Sequence, residues 1–471
     1  MNGIASTSGR MVALIGVAMA LGACQVSPLG KELKPVSLPT SWRSAAGFPQ
    51  AEVTADLGNW WRSFNDPILT ELISISLEGS PDLRAAESAV RQARAQRASA
   101  RSGLFPSLTG GLAGTGSAGR ADGNSSVSSQ RYGASLDASW EIDLFGKQGA
   151  TVAAAGADEA VAEETLHSVQ AALASEVALG YLDLRAAEAR LAVVRSNVES
   201  REETYQLASW REKAGISDAL ETEQAASNLE QVRSSIPSLE QSASEAKNRL
   251  SVLAGRSPGA LDGVLARQQG ELPRPPRRLA VGIPADTLRK RPDVRSAGYA
   301  WVAAAHRTNV AKSQRLPSLS LSGSLGVDAL SSSKLFNPDQ AAASMIAGLT
   351  APIFDAGRIR SQIEVQNEQQ EQALQSYQST VLQALSEVED ALIACRKNDE
   401  RETITQRAVD AARTAATLAT QRYEAGVVDM TTVLDAQRSL LSLEDQGVTV
   451  RADRAAAFVA LYKALGGGWQ A

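Results

Sequence analysis

The chain has 471 residues, a net charge of −5, two cysteines and two histidines, and aromatic residues make up only 4% of it. The negative charge gives no electrostatic case for nucleic-acid binding, and so few cysteines and histidines argue against a Cys/His metal site or a disulfide framework. The abundance of Ala, Ser, Gln, Glu and Arg is typical of long helices with small side chains at their interfaces.

The N-terminus resembles a bacterial signal peptide that ends in a lipobox. Arg10 precedes an apolar run from Met11 to Cys24, which is too short for a membrane span of about 20 residues. The run ends in "LGAC", so cleavage would leave Cys24 free to carry acyl chains that bury enough CH₂ groups for stable anchoring. Gln25 at the next position favours the outer membrane, by resemblance to lipoprotein sorting. The alternative is a plain signal peptide that happens to contain a cysteine.

The rest of the chain contains a tandem repeat. Pro292 lies 211 residues after Pro81, and the same offset relates Glu176 to Glu387, Gly146 to Gly357, Gly215 to Gly426, and Leu250 to Leu461. We therefore expect a signal peptide over 1–23, an anchored segment with a first short helix over 24–79, and two repeat halves over 80–255 and 291–466. A Pro/Gly-rich connector over 256–290 joins the halves, and a tail follows over 467–471.

Both halves predict the same order of elements. A helix over 82–102 (or 293–314) leads to a strand near 107–118 (318–328) and, after a polar loop, to a second strand near 131–145 (343–354). From Gly146 and Gly357 the hydrophobic period changes from two to about 3.6.

Long helices follow the strands. Because no proline occurs between Pro106 and Pro237, the sequence predicts one nearly continuous helix from Lys147 to Lys213. A glycine ends this helix, and a return helix runs to Gly255, with a kink expected at Pro237. Apolar residues spaced by three and four predict a coiled-coil seam, which Arg201 interrupts: Leu184, Ala187, Leu191, Val194, Val198, Tyr205 and Ala208.

The strands have one oily face. Residues 131–144 alternate strictly between apolar and polar or small side chains. Trp140 lies on the apolar face, which we expect to meet lipid. Asp137, Glu141 and Asp143 lie on the other face, which we expect to meet a water-filled lumen. A soluble sandwich would also have one oily face, but four strands beside such long helices count against it.

A sheet in lipid must pair every backbone group, so it has to close without a free edge. Four strands cannot close, and eight strands enclose a space that side chains fill. Three copies are therefore the smallest assembly that leaves an opening, and their helices would continue the tube.

The chain resembles the TolC-like outer-membrane efflux factors, specifically the NodT-type lipoprotein branch that works with resistance-nodulation-division pumps. The resemblance covers essentially all of the mature chain. It rests on "WWRSFNDPILTELI" at 60–73, "SWEIDLFGK" at 139–147, "APIFDAGRIR" at 351–360, "RYEAGVVDMTTVLDAQRSLL" at 422–441 and "ALGGGW" at 464–469. It implies a mainly α membrane protein: a homotrimer with a twelve-stranded β-barrel of four strands per chain, a twelve-helix periplasmic coiled-coil α-barrel, and an equatorial belt that includes the 256–290 connector.

The resemblance also implies a function and partners. The trimer would be the passive exit duct of a tripartite efflux pump for drugs or other small toxic compounds, from the periplasm to the exterior. It would be anchored in outer-membrane lipid and joined to an inner-membrane resistance-nodulation-division pump by a periplasmic membrane-fusion adaptor. The alternatives are the exit duct of a type I protein secretion system and a lipid-anchored periplasmic coiled-coil scaffold without a pore.

Two groups of site residues follow from the resemblance. The helix tips that contact the adaptor are matched by six residues, for which a plain helix C-cap is the alternative: Ala214, Gly215, Ile216, Ala425, Gly426 and Val427. The periplasmic gate is matched by an acidic constriction residue, Asp435, and by the tyrosine–carboxylate pair Tyr423 and Glu221. A solvated helix face is the alternative for Asp435. Thr432 replaces a second acidic residue, and Val428 replaces the arginine of a family latch.

We expect no enzymatic activity, cofactor or metal. The glycines over 114–119 match a dinucleotide fingerprint by letter, but a loop follows them instead of a helix. His167 and His306 have no nucleophile or ligand motif beside them, and Cys395 is predicted to be a small packed side chain.

Overall fold

The computed structural model describes residues 38–44, 57–121, 125–276, 284–335 and 337–469. The predicted signal peptide, and with it Cys24 and Gln25, lie outside the described residues. The helices are α1 (Pro67–Gly79), α2 (Pro81–Ser102), α3 (Lys147–Lys213), α4 (Ala219–Arg233), α5 (Ser235–Leu253), α6 (Asp262–Leu265), α7 (Pro284–Lys290), α8 (Pro292–Ser313), α9 (Arg358–Glu424) and α10 (Met430–Ala464). The strands are β1 (Ser107–Ala121), β2 (Ser125–Ile142), β3 (Ser318–Ala329) and β4 (Ala341–Thr350). Short 3₁₀ helices cover Leu57–Phe64, Ser332–Lys334 and Pro338–Gln340.

The described residues form two compact units. The first comprises the described parts of Ala89–Glu163 and Ser296–Gln378 and contains the sheet. The second comprises those of Val36–Ser88, Glu164–Arg295 and Ser379–Ala471. None of the helices in the described ranges has a stretch that is long and apolar enough to cross a bilayer.

The sheet of the first unit is antiparallel, with the strands in chain order from β1 to β4. Its register places the apolar residues of all four strands on one face. Leu136 lies opposite Leu325, and Trp140 lies opposite Leu321. Because directly paired residues point to the same side of a sheet, the four predicted apolar stripes merge into one surface.

The opposite face of the sheet is polar. Ser107 and Ser139 hydrogen-bond through their hydroxyls at 2.9 Å, and the Ser135 hydroxyl donates to Asp137 at 2.8 Å. Glu141 accepts from the Lys147 ammonium at 2.9 Å. The predicted separation of an oily and a polar face is therefore confirmed across the whole sheet.

The strand ends differ from the predictions. β2 ends at Ile142, so Asp143 lies beyond the strand, where its carboxylate accepts from the Gly149 N–H at 2.8 Å in the first turn of α3. The expectation that Asp143 belongs to the polar strand face is wrong, because satisfying the free N–H groups of a helix start takes this carboxylate. β4 ends at Thr350, since Pro352 cannot donate to the ladder.

The helix predictions agree closely with the structure. α3 runs from Lys147 to Lys213, as predicted. In the first half, the return helix is divided into α4 and α5 at Ser234, and Pro237 lies in the first turn of α5, where a missing N–H costs nothing. In the second half, where no proline follows Pro352, the corresponding helix α10 is continuous.

The core of the second unit lies around two tryptophans that precede α1. Trp60 stacks on Tyr462 of α10 with ring centroids 5.3 Å apart, and Trp61 packs edge-on against Trp60. Asp66 caps α1 by accepting from the Ile68 N–H at 2.9 Å, and it also accepts from the buried Tyr181 hydroxyl at 3.0 Å. The "WWRSFNDP" segment therefore ties α1 to α3 and α10.

Glycines end the elements at equivalent places in the two halves. Gly146 and Gly357, which join a strand to a helix, have φ of +77° and +86°. Gly255 has a φ of +65°, and a Cβ there would lie 2.3 Å from the carbonyl oxygen of Gly79. A side chain is therefore excluded at Gly255 by strain and by contact.

We predict that Gly255→Ala lowers the thermal unfolding midpoint of the purified protein more than Gly270→Ala. Gly270 has a similar φ of +72° but open space around its Cβ position. Both variants carry left-handed strain of roughly 1–2 kcal/mol, and overpacking against Gly79 adds on the order of 2 kcal/mol at Gly255 alone. Equal midpoints for the two variants would contradict the close packing at this turn.

Candidate functional site at the helix tips

Two turns with the same backbone join the long helices of the second unit. The N–H groups of Gly215 and Ile216 donate to the carbonyls of Glu212 and Arg211, both at 2.8 Å, and Gly426 and Val427 repeat this pattern. This is the Schellman motif, which satisfies the last carbonyls of a helix and needs a residue in the left-handed region. Gly215 and Gly426 supply it with φ of +71° and +73°.

An aspartate starts the next helix after each turn. Asp218 accepts from the Glu221 N–H at 3.3 Å and caps α4, and Asp429 accepts from the Thr432 N–H at 2.9 Å and caps α10. Ala214 and Ala425 are also exposed. Ile216 and Val427 are exposed apolar side chains of the two turns. Each tip is thus a rigid turn that presents an apolar residue to solvent.

Tyr423 lies just before the second tip and joins three helices. Its ring is only 2% exposed, in a cluster with Ala208 of α3, Ala225 of α4 and Met430 of α10. Its hydroxyl donates to a Glu221 carboxylate oxygen of α4 at 2.7 Å. The structure therefore brings Tyr423 and Glu221, which sequence places 202 positions apart, into direct contact.

Burial and the neighbouring carboxylate of Glu221 raise the pKa of Tyr423 to about 12 from its ordinary value of 10.0. The phenol is therefore neutral and a proton donor at physiological pH. Because the pKa is raised in the folded state, the contribution of this pair is complete below pH 10 and is lost as the pH rises through about 12.

Arg211 holds the same tyrosine from α3, and sequence reasoning missed it. Its Nη1 donates to the carbonyl oxygen of Tyr423 at 3.2 Å, and its guanidinium carbon lies 4.7 Å from the centre of the Tyr423 ring. The second contact has cation–π geometry. The repeat could have pointed to this position, but it provides Arg422 as an equivalent residue, and Arg422 is exposed.

The remaining gate positions are on the surface. Asp435 is exposed and accepts from Arg438 at 3.0 Å, one turn further along α10. Thr432 donates its hydroxyl to Asp429 at 2.6 Å and takes part in the helix cap. Val428, at the position of the family arginine, packs against the Tyr423 cluster.

The residues set aside in the sequence have structural surroundings. His167 stacks on Trp469 with centroids 4.4 Å apart, and the Arg295 guanidinium lies 5.7 Å from the same indole. Glu164, which is buried, pairs with Arg295 at 2.6 Å. Burial raises the pKa of the Cys395 thiol to about 12, so this thiol is unreactive. Within the described ranges, no group of three or more His, Cys, Asp or Glu side chains could hold a metal ion.

Comparisons with known proteins agree with this architecture. The profile of the Outer membrane efflux protein family matches residues 72–256 and 283–467. The pyoverdine export outer membrane protein OpmQ of Pseudomonas aeruginosa is 33% identical over 98% of this chain and 98% of the relative. The toluene efflux pump outer membrane protein TtgF of Pseudomonas putida is 31% identical over 97% and 96%.

A solved structure of the outer-membrane channel OprN superimposes with a TM-score of 0.87 at 32% identity, over 94% of this chain and 100% of the channel. The relatives are outer-membrane components of export and efflux pumps, so the predicted fold class, localisation and channel function are confirmed. The chain belongs to the outer membrane efflux protein family.

Proposed function

We propose that three copies of this chain form the outer-membrane exit duct of a tripartite pump, through which small toxic compounds leave the periplasm passively. The four-stranded sheets would close into a twelve-stranded barrel in the membrane. The helices would form the periplasmic part, and acyl chains on Cys24 would add an anchor in the outer leaflet-forming lipid. No catalytic step belongs to this role, which fits a family of channels.

The observation that carries the proposal is the sheet itself. Within the described residues, β1 and β4 each pair on one side only, so both edges of the sheet present unpaired backbone groups. The apolar face is bare, with Leu112 78% exposed and Met345 80% exposed. Lipid suits this face, but unpaired edges cost several kcal/mol per group in lipid. Neighbouring copies would pair both edges.

The helix tips support the proposed contact with a periplasmic adaptor. Gly215 and Gly426 lack a side chain, so their backbone is open to a partner's close approach, and no atom lies within 4 Å of a Cβ built at either position. Ile216 and Val427 flank them with exposed apolar surface. An adaptor of a resistance-nodulation-division pump would pack on these two turns.

Small-molecule cargo is favoured over exported protein by the lipobox and the C-terminal "ALGGGW" segment, and two relatives named for pyoverdine export and toluene efflux also handle small molecules. These two compounds differ widely in polarity, so the duct would set little selectivity. A type I secretion duct remains the second candidate. Recovery of a membrane-fusion adaptor of a resistance-nodulation-division pump with the purified protein would decide between them.

The proposed gate consists of Tyr423, Glu221 and Asp435, to which the structure adds Arg211. Tyr423 is held through its ring and carbonyl by α3 and through its hydroxyl by α4. These contacts oppose separation of the three helices near the tips. Three copies of Asp435 around the axis of a trimer would repel one another and attract cations.

We predict that the purified protein is a trimer that resists SDS until heated and that it conducts ions across planar lipid bilayers. A trivalent cation added on the side of the tips should block the current, and Asp435→Asn should weaken this block on the order of tenfold, because three charges are removed. Asp410→Asn, which removes an exposed carboxylate of α9, is the control. Absence of any conductance would support the scaffold alternative.

We also predict that Tyr423→Phe and Arg211→Ala increase the open probability of the channel in bilayers. A hydrogen bond to a charged group contributes about 1.5–3 kcal/mol, so losing the bond to Glu221 should raise the open fraction about tenfold or more. The matched control is Arg422→Ala, which removes the repeat equivalent of Arg211. An equal effect of Arg422→Ala, or no effect of Tyr423→Phe, would exclude the proposed gate.

A further inference from the structure

A buried arginine without a counter-ion interrupts the seam of α3. Arg201 is 2% exposed, and its Nη2 donates to the carbonyl oxygen of Gln437 in α10 at 3.2 Å. Among the described residues, its Nε and Nη1 have no hydrogen-bond partner. A buried charge with unsatisfied donors is costly, so some further group is needed to compensate it.

The charged groups of the surrounding helices do not provide this compensation. Burial and the like charge of Arg438 lower the pKa of Arg201 to about 10, which leaves the guanidinium protonated at neutral pH. The carboxylate of Asp435 is paired with Arg438 at 3.0 Å, and that of Glu444 is paired with Arg413 at 2.7 Å. Within the described ranges, no carboxylate forms an ion pair with Arg201.

A cavity of about 360 Å³ lies beside Arg201, between α3, α9 and α10. Arg201 forms part of its wall. Other donors of the wall come from hydroxyl, amide and guanidinium groups: Ser200, Arg413, Thr417, Thr420, Gln421 and Gln437. Glu444 is the one carboxylate among the lining residues. With two guanidinium groups against one carboxylate, the wall has a net positive charge, and the volume is ample for an ion with its waters.

We propose that this cavity binds a small monovalent anion, chloride in a saline medium, which neutralises Arg201 and links α3 to α9 and α10. The two free donors, Nε and Nη1, do not share one edge of the planar guanidinium, so they cannot hold a carboxylate through two parallel hydrogen bonds. A spherical ion needs no such pair. The site is independent of the efflux role, since it stabilises the helices of the folded chain.

Bromide, which scatters anomalously, tests the site directly. Crystals of the full-length protein grown with sodium bromide in place of sodium chloride should show an anomalous peak within hydrogen-bonding distance of the Arg201 guanidinium. A map without a peak in this cavity would overturn the proposal, and this result does not depend on any variant being able to fold.

Thermal unfolding gives a second test, with chloride replaced by gluconate at constant ionic strength. The wild-type midpoint should be a few degrees higher in chloride. Arg201→Met should unfold at the same temperature in both salts and should be at least as stable as the wild type in gluconate, because it removes the uncompensated charge. Arg195→Met, which removes an exposed arginine of the same helix paired with Glu240, should keep the chloride response. A chloride response that persists in Arg201→Met would refute the site.

Discussion

The two unpaired edges of the four-stranded sheet are the constraint on which the rest of the structure depends. A single chain exposes both an apolar face and the backbone groups of β1 and β4. Water would satisfy the edges but not the apolar face, and lipid would cover the face but not the edges. Only pairing with further copies in a membrane satisfies both. The length of the helices and the placement of the tips then serve an assembly and not a monomer.

The duplication gives the two halves one backbone and different chemistry. The positive-φ glycines, the Schellman turns and the aspartate caps recur at the same offset, so both tips have one geometry. The side chains beside them differ: Tyr423 corresponds to Glu212, and Glu221 corresponds to Thr432. The tyrosine–carboxylate contact therefore takes one residue from each half, and a duplicated scaffold obtains an unsymmetrical closure.

Much of the fold could be predicted because it depends on backbone chemistry that single residues announce. The absence of proline set the extent of α3, and alternation set the faces of the sheet. The exact strand ends could not be predicted, because Asp143 continues the alternation by its type while its carboxylate satisfies the start of α3. Arg211 was missed because a basic residue in a last helical turn is common, and only the packing of α3 against Tyr423 distinguishes it from Arg422. Arg201 was visible as an interruption, but its burial depends on three helices.

Disulfide cross-linking between the two sheet edges tests the closure most directly. In one chain, β1 and β4 are three strand spacings apart, about 14 Å, which is too far for a disulfide. Thr109→Cys in β1, combined in turn with Ser344→Cys, Ile346→Cys and Gly348→Cys in β4, scans the register between neighbouring copies. We predict that oxidation of outer membranes gives a covalent trimer for at least one combination and for none of the single-cysteine variants. Monomers alone in every combination would contradict closure of the sheet by copies of this chain.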